Sequence, residues 1–567
     1  MVSGVETVNK EITWSRMNLK EILPELPCPL TLSIFARANR ALFIEQFKKM
    51  GYALPEDTEY IKALYGRLYF NMNIWYKTYS DFGADPELSQ RAFGGFQSDS
   101  MNCLEAKPSF FTRMKMMPAY IKTMLLFSNI NKISKENFSI IREGYKRESN
   151  IDLRNYSDRE ILEHLEFIEE LSKRDLTIII GSGTSVSYLY LMEFLKKLVP
   201  DEDLDNVLNQ LVTGSEGIIS ANQTLSLIRL AGEAKGDRKV LEALDGEIDF
   251  AYNKLEGTRF REMLDNFLRE FGHRGLYETD VESPRYSENP ASILRIVKNY
   301  LDAGVTDPKE IMDRQKMIRE TAIDRILKHI QKNKFFYLKK KSFLRRLENY
   351  ERFLALREEN RYHTVMVIAL ARRGYLELGR RFTERGVLVK QFDIFFLTIP
   401  EIQSLLSGEQ NNFKNIVNER KSERERNSMF HAPDIIIGDV LPEIVKETVR
   451  ETKKVFTGYA ASSGTVQGRA RIIHSPEEFG KFKPGEILVA STTDPMWSTL
   501  FPVAKAVVTE MGGILSHAAI VAREYGTPCV VNVKGIMDVL EDGHLIEVDG
   551  DKGVIRIMEE SIDARAA

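Results

Sequence analysis

Cysteine is scarce in this chain of 567 residues, where Cys28, Cys103 and Cys529 stand far apart. No CxxC pair is present, which excludes a zinc knuckle of that type and makes a disulfide framework a poor explanation of the fold. No group of histidines, cysteines and carboxylates shows metal-ligand spacing either, so we expect this chain to bind no metal. Sparse, unpaired cysteine is typical of a protein in the reducing cytoplasm.

A charge excess of either sign is also missing. Lys and Arg number 79 against 82 Asp and Glu, a net charge of -3. Nucleic-acid-binding domains carry a basic footprint, so we expect no nucleic-acid partner. The N-terminal residues MVSGVETVNKEITW have no apolar signal core. The longest apolar run, Leu176 to Leu195, is interrupted by glycine, serine and threonine. We interpret it as a buried helix, and expect no membrane partner and a cytoplasmic location.

What the chain does contain falls into two regions of different texture. Residues 18–451 place apolar side chains at helical spacing and show few strand signals. Ser157 followed by Glu160 predicts a capping box. The stretch 343–386 is free of proline and ends in glycine, which predicts one long helix. The charged stretch 414–433 predicts a solvated helix face or a mobile connector.

From about residue 456, short strands replace the helices. Strand-like segments are RARII, GEILVAS, AKAVVTE, PCVVNV and HLIEVDGDKGVIRI, and SHAAIVAREYG is the one clear helix among them. The Asp549-Gly550 pair predicts a hairpin turn. The expected fold class is therefore multidomain, with a mostly α-helical region followed by a small α/β domain. The predicted bounds are 1–435 for the helical region, 436–455 for a linker, 456–558 for the α/β domain and 559–567 for a tail.

A histidine stands at the start of the predicted helix in the α/β domain. Ser516 is the expected N-cap and Gly526 the expected stop, so His517 lies at or beside the first helical position. The free N–H groups and the dipole of a helix start favour negative charge. They would stabilise a phosphoryl group on the imidazole and disfavour its protonation, while Gly512 and Gly513 let the backbone approach an anion. The alternative is an ordinary surface histidine, and spacing alone leaves both interpretations open.

The segment GGILSHAAIVAREYGTPCVV (512–531) resembles a known signature. It is similar to the phosphohistidine motif in the swivelling domain of the PEP-utilising enzymes, which include phosphoenolpyruvate synthase, pyruvate phosphate dikinase and rifampin phosphotransferase. The resemblance implies that His517 takes a phosphoryl group at one site and delivers it at another. Four segments of the helical region also resemble the acceptor-binding region of rifampin phosphotransferase, namely 13–31, 65–71, 272–290 and 356–398.

No segment resembles the ATP-grasp domain that full-length relatives carry. The resemblance therefore implies that ATP and Mg²⁺ bind a separate ATP-grasp partner, the arrangement of phenylphosphate synthase, whose ATP-binding and histidine-bearing parts are separate subunits. The alternative is that the ATP-grasp part has been cut from a longer chain. The stretch GSGTS (181–185) lacks the lysine of a phosphate-binding loop, and we interpret it as structural.

The segment GHRGLYETDVESPR supplies the first group of candidate site residues in the helical region. His273 could take the proton from an acceptor hydroxyl, and Arg274 could hold phosphoryl oxygens. The alternative for His273 is a satisfied helix end. Glu278, Asp280 and Arg285 either line the acceptor site or form a structural ion network.

Two arginines of the long helix form the second group. Arg357 and Arg361 lie four residues apart and share one helix face, which suits a phosphoryl group whose charge spreads over three oxygens. The alternative is pairing with neighbouring glutamates. Arg67 and Asn71 are further candidates on one predicted helix face. Arg523, carried over by the resemblance, either steadies docked positions of the small domain or forms a local salt bridge.

The combined prediction is a cytoplasmic phosphotransferase subunit. It carries a phosphoryl group on His517 from an ATP-grasp partner to a hydroxyl of an organic small molecule, and it swings on residues 420–455. The alternatives are a non-catalytic phosphocarrier or ligand-binding protein of the same family, and a relative that has lost catalysis.

Overall fold

The computed structural model describes residues 2–3, 12–16, 19, 23, 26–54, 58–81, 110–200, 204–215, 219–332, 335–409, 412–429, 432–438, 454–474, 476–493, 497–513 and 516–558. Most of the predicted linker and the predicted tail lie outside the described residues.

Helices dominate the region before residue 430. In chain order, α1 to α17 are Pro29–Ala38, Glu45–Lys49, Met72–Asp81, Phe110–Ser128, Ile130–Ser149, Asp158–Ser172, Thr177–Leu195, Leu204–Val212, Ile219–Lys235, Arg238–Asp245, Ala251–Lys254, Arg259–Phe271, Pro290–Asp302, Pro308–Gln331, Phe336–Glu384, Ile399–Leu406 and Phe413–Ser428. Their sequences explain them, as α12 shows, where Phe260, Leu264, Phe267 and Phe271 recur at helical spacing and are all buried. The predicted capping box of Ser157 and Glu160 is confirmed at the start of α6.

The predicted long helix is α15, which runs for 49 residues and spans about 74 Å at 1.5 Å per residue. It packs along α7, the predicted buried helix. Gly183 of α7 permits this contact, because a Cβ at Gly183 would lie 2.1 Å from the ring of Phe353 on α15. The apolar stretch Asp158–Leu195 contains the one window in the described residues with the length and hydropathy to cross a membrane. Because 67% of that window is buried inside the protein, it is typical of a core helix.

A four-stranded sheet in the helical region was not predicted. It is formed by β2 (Thr13–Ser15), β4 (Ile61–Leu64), β5 (Arg67–Asn71) and β6 (Ile435–Ile437), in the order β4-β5-β2-β6. Each strand is short, and β2 pairs with β6 some 420 residues further along the chain, so no local sequence pattern indicates the pairing. A separate two-stranded pair joins β1 (Val2–Ser3) to β3 (Tyr52–Ala53).

The placement of Arg67 and Asn71 on a helix was wrong, since both lie on strand β5. The Arg67 guanidinium donates to the carbonyls of Tyr65 (2.8 Å) and Asn427 (3.1 Å). The Asn71 amide donates to the carbonyl of Glu59 at 3.1 Å. Both side chains therefore form hydrogen bonds that stabilise the sheet and the segments beside it.

The charged stretch 414–433 is mostly the helix α17, attached to the body of the region by ion pairs. Arg420 pairs with Glu401 at 2.6 Å, and Arg424 with Glu282 at 2.6 Å. The predicted hinge at 420–455 therefore begins within a helix that these ion pairs fix to the helical region. Strand β6 also crosses the predicted boundary between residues 435 and 436, and it belongs to the helical region through its pairing with β2.

The α/β domain is built on an eight-stranded sheet, as the strand-like segments predict. Its strands are β7 (Val455–Thr457), β8 (Tyr459–Ser462), β9 (Thr465–Ile472), β10 (Ile487–Ala490), β11 (Ala506–Thr509), β12 (Cys529–Val531), β13 (Leu545–Asp549) and β14 (Val554–Ile557). The order is β7-β14-β13-β9-β10-β11-β12-β8, with a parallel centre from β9 to β12. Central strands β10 and β11 are buried along their whole length, as parallel strands usually are. The predicted hairpin is confirmed by antiparallel β13 and β14, and helices α18 (His517–Tyr525) and α19 (Ile536–Val539) complete the domain.

Candidate functional site

A cavity of about 440 Å³ lies in the helical region beside the middle of α15. Its wall comes from α1, α6, α7, α15, α16 and the segment before α13. Most of the lining is apolar: Ile34, Phe35, Leu42, Phe43, Tyr60, Phe70, Trp75, Leu162, Leu165, Ile168, Ile178, Ile180, Val281, Val365, Ile368, Tyr375, Ile399 and Ile402. Arg357 and Arg361 are part of the same wall. A pocket with this lining suits an apolar organic ligand that is oriented by a few polar groups.

The α/β domain reaches this cavity with the start of α18. Gly513 and Ser516, which flank the histidine segment, line the cavity together with the two arginines. The predicted helix ends are confirmed: Ser516 is the N-cap and accepts the amide N–H of Ala519 at 3.4 Å, and Gly526 ends the helix with φ 60°. His517 is the first helical residue; the structure describes its backbone and not its side chain. The start of the histidine helix therefore lies at the cavity wall.

Gly512 has a specific reason to be glycine. Its φ is 121°, and a Cβ there would lie 2.9 Å from the Ser516 hydroxyl oxygen. A side chain at residue 512 would strain the backbone and displace the N-cap. The structure thus explains Gly512 by how the helix start is held. The approach of the glycine pair to an anion stays a prediction.

Specific polar contacts dock the α/β domain on the helical region. Arg523 is buried and donates to the Asn209 side-chain oxygen of α8 at 2.7 Å. The Asn209 amide donates in turn to the Ala460 carbonyl of β8 at 3.0 Å. On another helix, the Arg314 guanidinium donates to the Tyr525 carbonyl. Of the two roles considered for Arg523, the structure supports the one that steadies a docked position.

Apolar packing continues across the same interface. Leu227 of α9 and Ile293 of α13 belong to one buried cluster with Phe501 and Val521 of the α/β domain. This shared core buries the cavity-facing helix start against the helical region, and it accounts for a stable docked arrangement.

A buried ion network holds one of the cavity arginines. Glu278 accepts a bidentate contact from Arg274 (2.8 and 3.0 Å) and a third hydrogen bond from Arg361 Nε (2.9 Å). Burial acts to raise the pKa of Glu278, but the charges of Arg274 and Arg361 outweigh it and lower this pKa to about 2. Glu278 is therefore ionised at neutral pH and fixes the orientation of Arg361. Arg274 and Glu278 do not line the cavity themselves.

Arg361 retains an unused donor. Its Nη2 atom is buried and has no hydrogen-bond partner within the described part of the chain, whereas its Nε is held by Glu278. A buried guanidinium nitrogen without a partner is costly unless a ligand satisfies it. Because Arg361 lines the cavity, that atom is suited to an oxygen of a bound anionic group.

His273 lies outside the cavity wall, packed edge-on against Tyr145 and Tyr362 with ring centroids 5.6 and 4.6 Å away. Neither ring nitrogen has a hydrogen-bond partner among the described residues. Burial and the neighbouring Arg274 charge lower the pKa of His273 to about 3, so the imidazole is neutral at physiological pH. Its suggested role as the acceptor's base stays a prediction.

Arg285 and Asp280 hold the loop before α13 together. The Arg285 guanidinium donates to the carbonyls of Glu278 (2.8 Å) and Asp280 (3.0 Å). Asp280 accepts from the Thr31 hydroxyl at 2.8 Å and from the Cys28 thiol at 3.3 Å. Two roles were proposed for these residues, lining the acceptor site or forming a structural ion network. These contacts fit the structural network.

Possible metal-ligand atoms of Cys28, Asp280 and Glu282 lie within 4.8 Å of one another. The spacing of these residues in the sequence does not indicate that they are close together. Their own partners account for the arrangement. The thiol donates to Asp280, and Glu282 pairs with Arg424.

Several cavity residues were missed by the sequence reasoning. Gly181, Thr184 and Ser185, interpreted as structural, line the cavity on α7. Asp175 also lines it, and accepts from the Asn360 amide at 3.0 Å and from the Thr364 hydroxyl at 2.5 Å. The one available signal was the run of small residues on an otherwise bulky buried helix, which leaves space beside it.

Two family models match the chain. The model described as "Rifampicin phosphotransferase fourth domain" matches residues 177–358, and the model described as "PEP-utilising enzyme, mobile domain" matches residues 482–553. The first match covers α7 to the middle of α15, and the second lies within the α/β domain and contains the histidine segment. Residues 177–358 and 482–553 thus match domain models of the PEP-utilising enzymes.

The curated relatives of this chain include rifampicin phosphotransferases. The rifampicin phosphotransferase of Bacillus cereus is 26% identical over 446 residues, which are 76% of this chain and 50% of that protein. That of Bacillus subtilis is 28% identical over 460 residues, 78% of this chain and 51% of the relative. The prodigiosin synthesizing transferase PigC of Serratia marcescens is 31% identical over 297 residues, 51% of this chain and 33% of the relative. The chain thus spans about half the length of the two Bacillus relatives, and its predicted family is confirmed.

Proposed function

We propose that this chain transfers a phosphoryl group, carried on His517, to a hydroxyl of an organic molecule bound in the 440 Å³ cavity. One observation carries the proposal. Gly513 and Ser516 line the same cavity as Arg357 and Arg361, so the start of the histidine helix opens onto the place where an acceptor would lie.

The transfer exchanges one bond for another. The P–N bond to the imidazole breaks, a P–O bond to the acceptor oxygen forms, and the hydroxyl proton leaves to a base or to solvent. The charge of the transferring group spreads over three oxygens, so catalysis is mainly positioning and electrostatic stabilisation. The free Nη2 of Arg361, held in place through Glu278, supplies a donor for one of those oxygens. Arg357, one helical turn away, supplies a second positive charge on the same wall.

The acceptor is an apolar molecule with an accessible hydroxyl. Aromatic side chains such as Phe43, Tyr60 and Trp75 line the same cavity as the two arginines. The names of the relatives, which refer to rifampicin and prodigiosin, are consistent with a bulky organic acceptor.

The phosphoryl group would come from ATP, with Mg²⁺, on an ATP-grasp unit outside this chain. Within the ranges described above, the nearest approach to a phosphate loop is 181–185, which lies inside α7 with its backbone N–H groups engaged in the helix. Loading would require the α/β domain to leave its docked position, which breaks the contact between Arg523 and Asn209. We place this exchange in the cytoplasm.

The test is phosphorylation of the purified chain by γ- and β-labelled ATP with Mg²⁺, with and without an ATP-grasp protein from a relative. We expect acid-labile label only with that partner. The label should be absent from His517→Ala and retained by His474→Ala, a matched change of an exposed histidine in the same domain. Chasing the labelled chain with a panel of hydroxylated aromatic compounds should move the label to the compound.

Two results would contradict the proposal at different steps. Label on the His517→Ala chain would reject the carrier. Stable label on the natural chain that no acceptor removes would retain the carrier and support the non-catalytic phosphocarrier instead.

A further inference from the structure

One side of the molecule exposes apolar side chains that no described element covers. On α4, Met114, Met117, Ile121 and Leu125 are each more than half exposed. Their spacing of three and four residues places them on one helix face. Contiguous exposed apolar surface on a folded protein marks a surface that binds something.

A second exposed apolar group lies where α14 ends and α15 begins. Phe335, Tyr337 and Leu338 are all more than half exposed, and Tyr337 is 84% exposed. Three bulky side chains in four residues protrude from the tip of this helical hairpin.

Contacts show that the two groups belong to one face. The Tyr120 hydroxyl of α4 bonds to that of Tyr190 at 3.1 Å, and Arg346 of α15 donates to the Tyr190 carbonyl at 2.7 Å. Seven residues further along both helices, Phe127 packs against Phe353 with ring centroids 5.3 Å apart. Helix α4 therefore runs alongside α15 in the same direction, and its exposed stripe leads towards the hairpin tip.

The segments that form this face are rich in basic residues. Between Arg325 and Leu347 the sequence has nine lysines and arginines and no aspartate or glutamate, and α4 has three and none. The chain as a whole carries a net charge of -3, so this positive charge is local. Glu193, beside Tyr190, is an acidic neighbour, and Asp324 and Glu348 flank the basic stretch in the sequence.

We infer that this face, formed by α4, the end of α7 and the α14–α15 tip, binds an anionic lipid surface. Exposed apolar side chains enter the boundary between headgroups and acyl chains, while long lysine and arginine side chains reach the phosphates. A single-stranded nucleic acid would call for aromatic stacking platforms, but methionine, isoleucine and leucine make up most of the exposed set. Such binding takes place at the membrane surface and requires no membrane-spanning helix. It departs from the expectation, drawn from the sequence, that the chain has no membrane partner.

The experiment is co-sedimentation of the full chain with vesicles of phosphatidylcholine alone and of phosphatidylcholine with phosphatidylglycerol in equal parts. We expect binding to the second and little to the first, and weaker binding at high salt. Lys332, Lys341 and Arg345 are exposed, so changing all three to Gln should leave the fold intact. Each basic residue near an anionic surface contributes roughly 1 kcal/mol, so affinity should fall on the order of a hundredfold.

A matched control removes the same charge elsewhere. Lys483, Lys505 and Lys552 are exposed on the α/β domain, and their change to Gln should leave vesicle binding unaltered. The pair Ile121→Ser and Leu125→Ser tests the apolar part, and it should weaken binding without changing its dependence on lipid charge.

Three outcomes would overturn the inference. These are no binding to anionic vesicles, equal losses in the test and control triples, and equal or tighter binding to polyglutamate with no effect of the two serine changes. The last would assign the face to an acidic protein surface.

Discussion

Replacing either of two glycines of α7, two residues apart, by alanine should have opposite effects on the free energy of unfolding. At Gly181, a Cβ would meet no atom within 4 Å, because the residue lines the cavity. Gly181→Ala should therefore gain the helix propensity of alanine, about 0.5–1 kcal/mol of unfolding free energy. At Gly183, a Cβ would lie 2.1, 2.5 and 2.6 Å from three ring atoms of the buried Phe353. The Phe353 ring or the helix that carries it must shift, so Gly183→Ala should lose about 1–3 kcal/mol despite the same propensity gain.

The measurement is urea unfolding followed by circular dichroism at the helical wavelength, with the two variants and the natural chain side by side. We expect the midpoints to fall in the order Gly181→Ala, natural chain, Gly183→Ala. Equal midpoints for the two variants would refute the close packing of α7 on α15 and the open space beside Gly181.

The same position offers a test of the cavity itself. A phenylalanine at Gly181 would project its ring into the space that the acceptor is proposed to fill, with no clash at Cβ. Phosphorylation of His517 should proceed as before, whereas transfer to the acceptor should be lost. Unimpaired transfer by Gly181→Phe would place the acceptor elsewhere.

Three further predictions concern the polar network and the docked domain. Arg361→Lys keeps the positive charge beside Glu278 but no longer places a separate donor where Nη2 lies, so transfer to the acceptor should fall about a hundredfold while labelling of the histidine is unchanged. Equal transfer activity in the variant would show that the Nη2 donor has no part in the mechanism. Asn209→Ala leaves the buried Arg523 without its acceptor at 2.7 Å, so the docked state should weaken by about 1.5–3 kcal/mol. The radius of gyration from X-ray scattering should then increase, whereas an unchanged radius would assign docking to the apolar interface alone. His273 has a pKa of about 3 in the folded chain against 6.5 unfolded, so between these values the folded state binds fewer protons at this residue. His273 should therefore contribute a loss of about 1.4 kcal/mol per pH unit as the pH falls from 6.5 to 3, added to the losses from His164 and His363, whose pKa values burial also lowers. His273→Phe should reduce the measured slope by that amount, and an equal slope in the variant would contradict the burial of the imidazole.

Local sequence determined the elements that depend on neighbouring residues. The capping box of Ser157, the N-cap of Ser516 and the left-handed stop at Gly526 each involve residues within one or two turns, and each was predicted. Strands β9 to β14 and the long helix α15 follow from periodicity in the same way. The features of the histidine segment 512–531 were also local, because a helix start supplies its donors from consecutive residues.

Tertiary structure decided which of these elements meet. Glu278 holds Arg361 across 83 residues of sequence, and Arg523 reaches Asn209 across 314. The placement of His273 between two tyrosines and the pairing of β2 with β6 likewise depend on distant parts of the chain. Hydrogen bonds within a turn are encoded by residues next to one another, whereas a cavity is the space left between side chains that only the packed helices bring together.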